Sequence, residues 1–186
     1  VFATRAFRAE EAYLSIPLDI VIGDHTISKT ETVGPALRDL QRHMPPNMRA
    51  QYTLGLFLLH ERFVAAEKSF WKPYIDLLPT SHDSPAFYDQ RELSLLEGTL
   101  MPSLARSVSH EMDGQFESVR RLVHPKHAAV WPTWALTKAN WRWVTGILNS
   151  RMIWWDNGPH LVPMLDMINC RQGPRPHERR VHSTQR

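Results

Sequence analysis

Cysteine is almost absent from this chain, which has one among 186 residues. A single Cys cannot form an internal disulfide bond, so a small secreted fold held by disulfides is excluded, as is a zinc or iron–sulfur site built from several thiolates. Long apolar runs are also lacking, because the best candidate, 54–59, is followed at once by His60, Glu61 and Arg62. No membrane span is expected. With 42% apolar residues, the chain can form one or two small domains with a buried core.

Net charge is small and unevenly placed. The last sixteen residues hold five Arg and one Glu, a net of +4 against +3 for the whole chain, so residues 1–170 carry about −1. A body of this charge has no field that attracts phosphates, so nucleic acid is not expected as a partner. The basic end has a lone apolar residue, Val181, and 171–186 is expected to be a disordered tail. Because the chain starts at Val1 without Met or a targeting pattern, we expect an internal cut there.

The order of patterns along the chain predicts a β segment, a helical segment and a second β segment. Two short strands, at 1–3 and 13–16, are predicted around a polar turn. The apolar residues of 161–169 predict a strand buried on both faces, after a turn at 156–159. Helices are predicted over 36–43, 51–68, 92–98, 104–123 and 136–153. The second of them is dense enough in apolar residues to be mostly buried.

Tryptophan is concentrated, since six of the seven lie within 131–155. Such a cluster can form an aromatic cage that attracts a methylammonium group, or it can pack helices onto a core, and we favour packing. His124 and His127 lie three apart on either side of Pro125, which prevents a regular helix from carrying both. No metal site is expected there, because no thiolate or carboxylate is spaced to complete it.

Five segments keep an order and spacing that we recognise: 1–7 with 14–17, 69–79, 92–99, 150–151 and 161–169. Together they resemble the SET-domain protein methyltransferases of the Rubisco large-subunit methyltransferase type, over about residues 1–170. Each segment alone is a weak signal, whereas the ordered set is specific.

The resemblance implies an α+β fold in which a small β-rich SET fold is split by a long helical insert and is incomplete at its C-terminus. In that division, 1–48 is the N-terminal SET β segment and 49–153 is the helical insert. Residues 154–170 then form the C-terminal SET strand and cofactor motif.

The family's reaction transfers a methyl group from S-adenosylmethionine to a protein side-chain nitrogen, usually that of lysine. The resemblance therefore implies this cofactor and a protein substrate that carries a target lysine. Ser150 and Arg151 stand where the family's Arg approaches the cofactor, and a guanidinium suits the carboxylate of the methionine part. From its position alone, Arg151 would be a cation that complements the C-terminal end of a helix.

Asp166, Asn169 and Cys170 are the other cofactor-binding residues that the resemblance implies. Asp166 stands next to cofactor and target nitrogen in the family, and Asn169 holds the cofactor's amino-acid end. Without the resemblance, Asp166 would be a strand-end cap and Asn169 a turn residue. Cys170 takes the place of the family's His, whose backbone serves the adenine, and is otherwise a small buried apolar residue. No catalytic residue and no metal ligand is assigned.

Two parts of the family's site are not found in this sequence. The Gly-x-Gly turn is expected before Val1, and the segment with the catalytic Tyr is expected after 170, yet no Tyr follows Tyr88. We therefore expect an incomplete and inactive methyltransferase with weak cofactor affinity at best. The alternative is a catalytically dead, SET-derived module that binds a protein partner. A soluble intracellular protein is expected, with cytoplasm, nucleus and plastid left open, as are the target and the choice between lysine and histidine.

Overall fold

The structure, a computed structural model, describes residues 5–8 and 11–168. The predicted strand at 1–3, Asn169, Cys170 and the tail 171–186 lie outside them. The helices are α1 (Asp24–Ile27), α2 (Val33–Gln41), α3 (Arg49–Leu59), α4 (Lys72–Ile75), α5 (Gln90–Ser94), α6 (Met101–Val123) and α7 (Lys138–Arg151); the strands are β1 (Ile153–Trp155) and β2 (Gly158–His160). None of the helices in this part of the chain has the length and apolar character that a bilayer span requires.

Helix α3 lies at the centre of the core. Eight consecutive residues from Tyr52 to Leu59 are buried, which confirms the mostly buried helix predicted from the density of apolar residues. Helix α7 packs against it, and a Cβ at Gly55 would lie 3.1 Å from the ring of Trp141, so the absence of a side chain permits this close approach. Beyond Leu59 the predicted helix continues as a π-helical turn, His60–Ala65, and a 3-10 turn, Ala66–Lys68.

The other predicted helices are confirmed, with ends shifted by a few residues. Helix α6 is amphipathic and buries Met112, Phe116 and Val119 along one face, as its apolar spacing predicts. It ends two residues before Pro125, which cannot continue a helix. Helix α5 begins with a capping box, in which Asp89 and Glu92 each accept a hydrogen bond from the other's backbone N–H.

The tryptophan cluster divides between packing and exposure. Trp131, Trp141 and Trp143 are buried among the helices, which confirms the packing role for these three. The indole N–H of Trp131 donates to Leu56 O at 2.9 Å and so ties the 127–137 loop to the centre of α3. In contrast, Trp134 and Trp154 are 63% and 66% exposed.

Both predicted strands that fall within the described residues are wrong. Residues 13–16 are irregular, with Tyr13 and Leu14 exposed, because none of the described residues provides a backbone ladder beside them. The stretch 161–168 makes one bridge, Leu161 to Ile22, and then turns. Pro163 has no N–H to donate, and the φ of Met164 is +70°, so an extended strand cannot continue through them.

The observed sheet is a two-stranded antiparallel hairpin of β1 and β2. Its two turn residues, Asp156 and Asn157, have φ angles of 46° and 61°, the signature of a type I′ turn. The turn predicted at 156–159 is therefore confirmed at Asp156 and Asn157, whereas Gly158 and Pro159 belong to β2. The described part of the chain is thus a mixed fold, mostly helical, with a small sheet.

Candidate active site

Helix α7 carries Arg151 to the edge of the hairpin. Its N-terminus is capped by the Thr137 side chain, which accepts a hydrogen bond from the N–H of Asn140 at 3.1 Å. Its apolar face, which includes Val144, Ile147 and Leu148, is buried. Because both the start and the face of the helix are held, its last residue, Arg151, has a defined position directly before β1.

Asp166 lies in a short 3-10 turn, Leu165–Met167, that follows the left-handed Met164. A positive φ is costly for a residue with a side chain, by about 1 to 3 kcal/mol, and it persists where surrounding contacts require it. Here the turn directs the Asp166 carboxylate inward, and its side chain is 0% exposed.

Two side chains, one from α4 and one from α7, meet at this carboxylate. Nη1 of Arg151 donates to Oδ2 of Asp166 at 3.0 Å, and the hydroxyl of Tyr74 on α4 donates to the same oxygen at 2.9 Å. The Arg151 side chain is 22% exposed, so one end of the cluster is open to solvent. One oxygen of the carboxylate therefore receives both an ionic and a neutral donor.

The second carboxylate oxygen has a different environment. Oδ1 of Asp166 is buried and has no hydrogen-bond partner among the described residues. Burial raises the pKa of Tyr74, and the adjacent Asp166 carboxylate raises it further. Tyr74 is therefore a protonated donor at neutral pH, and Oδ1 is an acceptor without a donor.

The predicted site residues are only partly brought together. Arg151 and Asp166 are in contact. Ser150 is adjacent in sequence but exposed, and its hydroxyl donates to Gly146 O at 2.8 Å, within α7. Asn169 and Cys170 lie outside the described residues. Tyr74 was missed by the sequence reasoning, although a tyrosine in the apolar segment 69–79 signals a hydroxyl that needs a buried partner.

Of the two histidines considered for a metal site, His127 makes a different contact. Nε2 of His127 lies 3.0 Å from Oδ2 of Asp39, and this hydrogen bond lowers the pKa of Asp39. In the described ranges, no group of three or more His, Cys, Asp or Glu is placed to hold a metal ion.

Known proteins share both sequence and fold with this chain. No protein-family model matches it. It is 28% identical, over 90% of its length and 32% of the relative's, to the ribulose-1,5-bisphosphate carboxylase/oxygenase large subunit N-methyltransferase, chloroplastic, of Nicotiana tabacum. It is 29% identical, over 92% of its length and 29% of the relative's, to the actin-histidine N-methyltransferase of Canis lupus familiaris.

A solved structure agrees with these sequences. The crystal structure of the SET domain of LSMT bound to lysine and AdoHcy superposes with a TM-score of 0.71 at 24% identity, over 88% of this chain and 35% of that one. The chain resembles the SET-domain methyltransferases of the Rubisco large-subunit type. It spans about a third of the length of these methyltransferases. Both of these relatives are named as protein N-methyltransferases.

Proposed function

We propose that this chain is the cofactor-binding part of an S-adenosylmethionine-dependent protein N-methyltransferase, with lysine as the acceptor residue. The observation that carries the proposal is the contact of Arg151 with the buried Asp166. The fold resembles that of the LSMT SET domain. The sequence resemblance predicted both residues as cofactor-binding without reference to the structure, in which they are in contact.

The division of the chain follows from the same proposal. Residues 49–153 form the helical insert, which splits a SET fold whose flanking parts are 1–48 and 154–170. The structure is consistent with this division, since Ile22 and Leu161 bridge across the insert with mutual hydrogen bonds of 2.9 Å.

The donors and acceptors of the cluster suit the cofactor's amino-acid end. Nη1 of Arg151 donates to Asp166, and the other N–H groups of the guanidinium can donate to the carboxylate of the cofactor. Ser150, Asn169 and Cys170 are proposed to complete the cofactor contacts. When bound, S-adenosylmethionine supplies an electrophilic methyl group on sulfonium.

The part of the protein in this reaction is chiefly positioning. The acceptor nitrogen must be neutral and in line with the methyl–sulfur bond, so the site has to align two reactants and exclude competing water. Arg151 and Asp166 contribute by fixing one reactant at its charged end.

Cofactor binding tests the proposal. The 186-residue chain is titrated with S-adenosylmethionine and followed by NMR, which detects weak affinity. Arg151→Met is expected to weaken binding by about tenfold to a hundredfold, because a hydrogen bond to a charged group contributes about 1.5 to 3 kcal/mol.

Arg121→Met is the matched control, because Arg121 is an exposed arginine of α6. No binding at millimolar cofactor, or equal weakening by both substitutions, contradicts the proposal. Whether this chain is inactive by itself stays a prediction, and turnover with radiolabelled cofactor and a protein substrate would refute it.

A further inference from the structure

Tyr74 is the residue of the cluster to which the sequence analysis gave no role. Its hydroxyl contacts one oxygen of the Asp166 carboxylate. Tyr74 is 7% exposed, and its hydroxyl reaches Asp166 across 92 residues of sequence. Both Tyr74 and Arg151 donate to Oδ2 of Asp166, whereas Oδ1 receives nothing in the described part of the chain. The two oxygens of one carboxylate are therefore treated differently.

A buried Oδ1 without a hydrogen-bond donor is unfavourable in free energy unless a ligand supplies the donor. Buried carboxylate oxygens are nearly always hydrogen-bonded. An acceptor without a donor loses its hydration, and no hydrogen bond offsets that cost in free energy. The carboxylate could relieve the cost by rotating, yet two donors on Oδ2 hold it in place. A fixed, buried acceptor without a donor can accept a hydrogen bond from the N–H group of a bound ligand.

We propose that Tyr74 is a positioning residue, which holds Asp166 by Oδ2 so that Oδ1 accepts a hydrogen bond from a primary ammonium group of a bound ligand. The inference rests on the proposed function and names a contact within that site. Charge balance favours the amino-acid end of the cofactor, because Arg151 and Asp166 together are neutral and an amino acid brings one charge of each sign. The target lysine is the other source of an ammonium.

A pair of cofactor analogues separates a positioning role from a structural one. S-adenosylhomocysteine has the amino-acid end, whereas 5′-methylthioadenosine has the same nucleoside and a thioether without it. Tyr74→Phe removes the hydroxyl and keeps the ring. We expect it to weaken S-adenosylhomocysteine binding to the 186-residue chain by about fivefold to tenfold in NMR titrations and to leave methylthioadenosine within about twofold.

Two further variants make the result specific. Tyr52→Phe is the matched control, because Tyr52 is also a buried tyrosine but lies in α3 against Trp141, and it should change neither affinity. Asp166→Asn should show the same preference as Tyr74→Phe, because it changes the acceptor itself. A third ligand, Nα-acetyl-lysine amide, tests the other source, and selective weakening of that ligand would support the positioning role with the target amine as donor.

The failures are distinguishable. If Tyr74→Phe leaves the affinities for S-adenosylhomocysteine and for the lysine ligand unchanged, or weakens methylthioadenosine equally, the positioning role is overturned while the proposed function stands. If the wild-type chain binds neither nucleoside at millimolar concentration, the proposed function fails and the inference fails with it.

Discussion

The helical region, 49–151, and the segment that follows it, 152–168, differ in how their large side chains are buried and hydrogen-bonded. In the helical region, Trp131 and Trp143 are buried and donate their indole N–H to backbone carbonyls. In the following segment Trp154 is 66% exposed, and one buried oxygen of Asp166 has no donor in the described residues. One buried indole nitrogen of the helical region, that of Trp141, also lacks a partner there.

Backbone conformation shows the same contrast. Of the four described non-glycine residues with positive φ, Asp156, Asn157 and Met164 lie in the short segment and Ala66 in the helical region. Strained conformations of this kind gather at sites where a side chain must be held in an unusual direction. The difference indicates that the strained backbone is concentrated in the short segment, which contributes Asp166 to the candidate site, whereas the helical region contributes Tyr74 and Arg151.

Two tryptophans give the largest test of this comparison. Trp131→Ala should lower the free energy of unfolding by about 3 to 5 kcal/mol, because it leaves a cavity in the core and removes the indole hydrogen bond to the Leu56 carbonyl. Trp154→Ala is the matched substitution in the short segment and should change it by about 0.5 kcal/mol or less. Denaturant unfolding measures both, and equal losses would break the comparison.

Substitution of two glycines in the helical region tests how closely it is packed, and the expected change in stability is intermediate. A Cβ at Gly146 of α7 would lie 2.3 Å from the ring of His82, which is held by a 2.9 Å contact with Trp143 O. Gly146→Ala should therefore destabilise the protein by about 1 to 3 kcal/mol.

The matched control is Gly114→Ala in α6, where no atom lies within 4 Å of the added Cβ. It should stabilise the protein by about 0.5 to 1 kcal/mol, because alanine is the better helix former. Thermal unfolding gives the sign of each change. If Gly146→Ala were as stabilising as Gly114→Ala, close packing around α7 would not limit this region.

The smallest effect is a pH dependence in the short segment. Burial lowers the pKa of His160 from its ordinary 6.5, so the folded state resists its protonation. Because the unfolded state then binds the proton more readily, the stability from neutral His160 is complete above about pH 6.5 and is lost as the pH falls below it.

His160→Gln should therefore flatten the decrease in the free energy of unfolding between pH 7.5 and 5.5. His110→Gln, an exposed substitution in α6, should leave the decrease as it is. Comparison of the slopes, rather than of the absolute stabilities, removes the packing change that accompanies the loss of the ring. An unchanged slope for His160→Gln would contradict the prediction.

The helices were predictable because their signal is local. Apolar residues of 51–68 and 104–123 repeat at a spacing that buries one face, and Pro125 ends the second helix within its own neighbourhood. The strand predictions failed for the opposite reason. An alternating or apolar stretch such as 13–16 shows that a strand is possible, whereas its partner is a property of another part of the chain.

The candidate site shows the same division. Arg151 and Asp166 were predicted from short motifs with a family's order and spacing, and the structure places them in contact. The role of Tyr74 was not predictable, because 92 residues separate it from the carboxylate and no spacing rule joins them. Asn169 and Cys170 stay predictions.

By itself, then, the sequence determined the single thiol, the near-neutral body, the helices and the two charged residues of the candidate site. The thiol, the charge and the helices depend on composition or on neighbours within a few turns of chain, whereas the two charged residues were predicted from the resemblance to a known family. Only the tertiary structure decided which tryptophans are buried, that 161–168 turns instead of continuing as a strand, and that Tyr74 shares an oxygen of Asp166 with Arg151. The physical reason is that burial and hydrogen-bond partners are set by distant segments packing together, which no local pattern encodes.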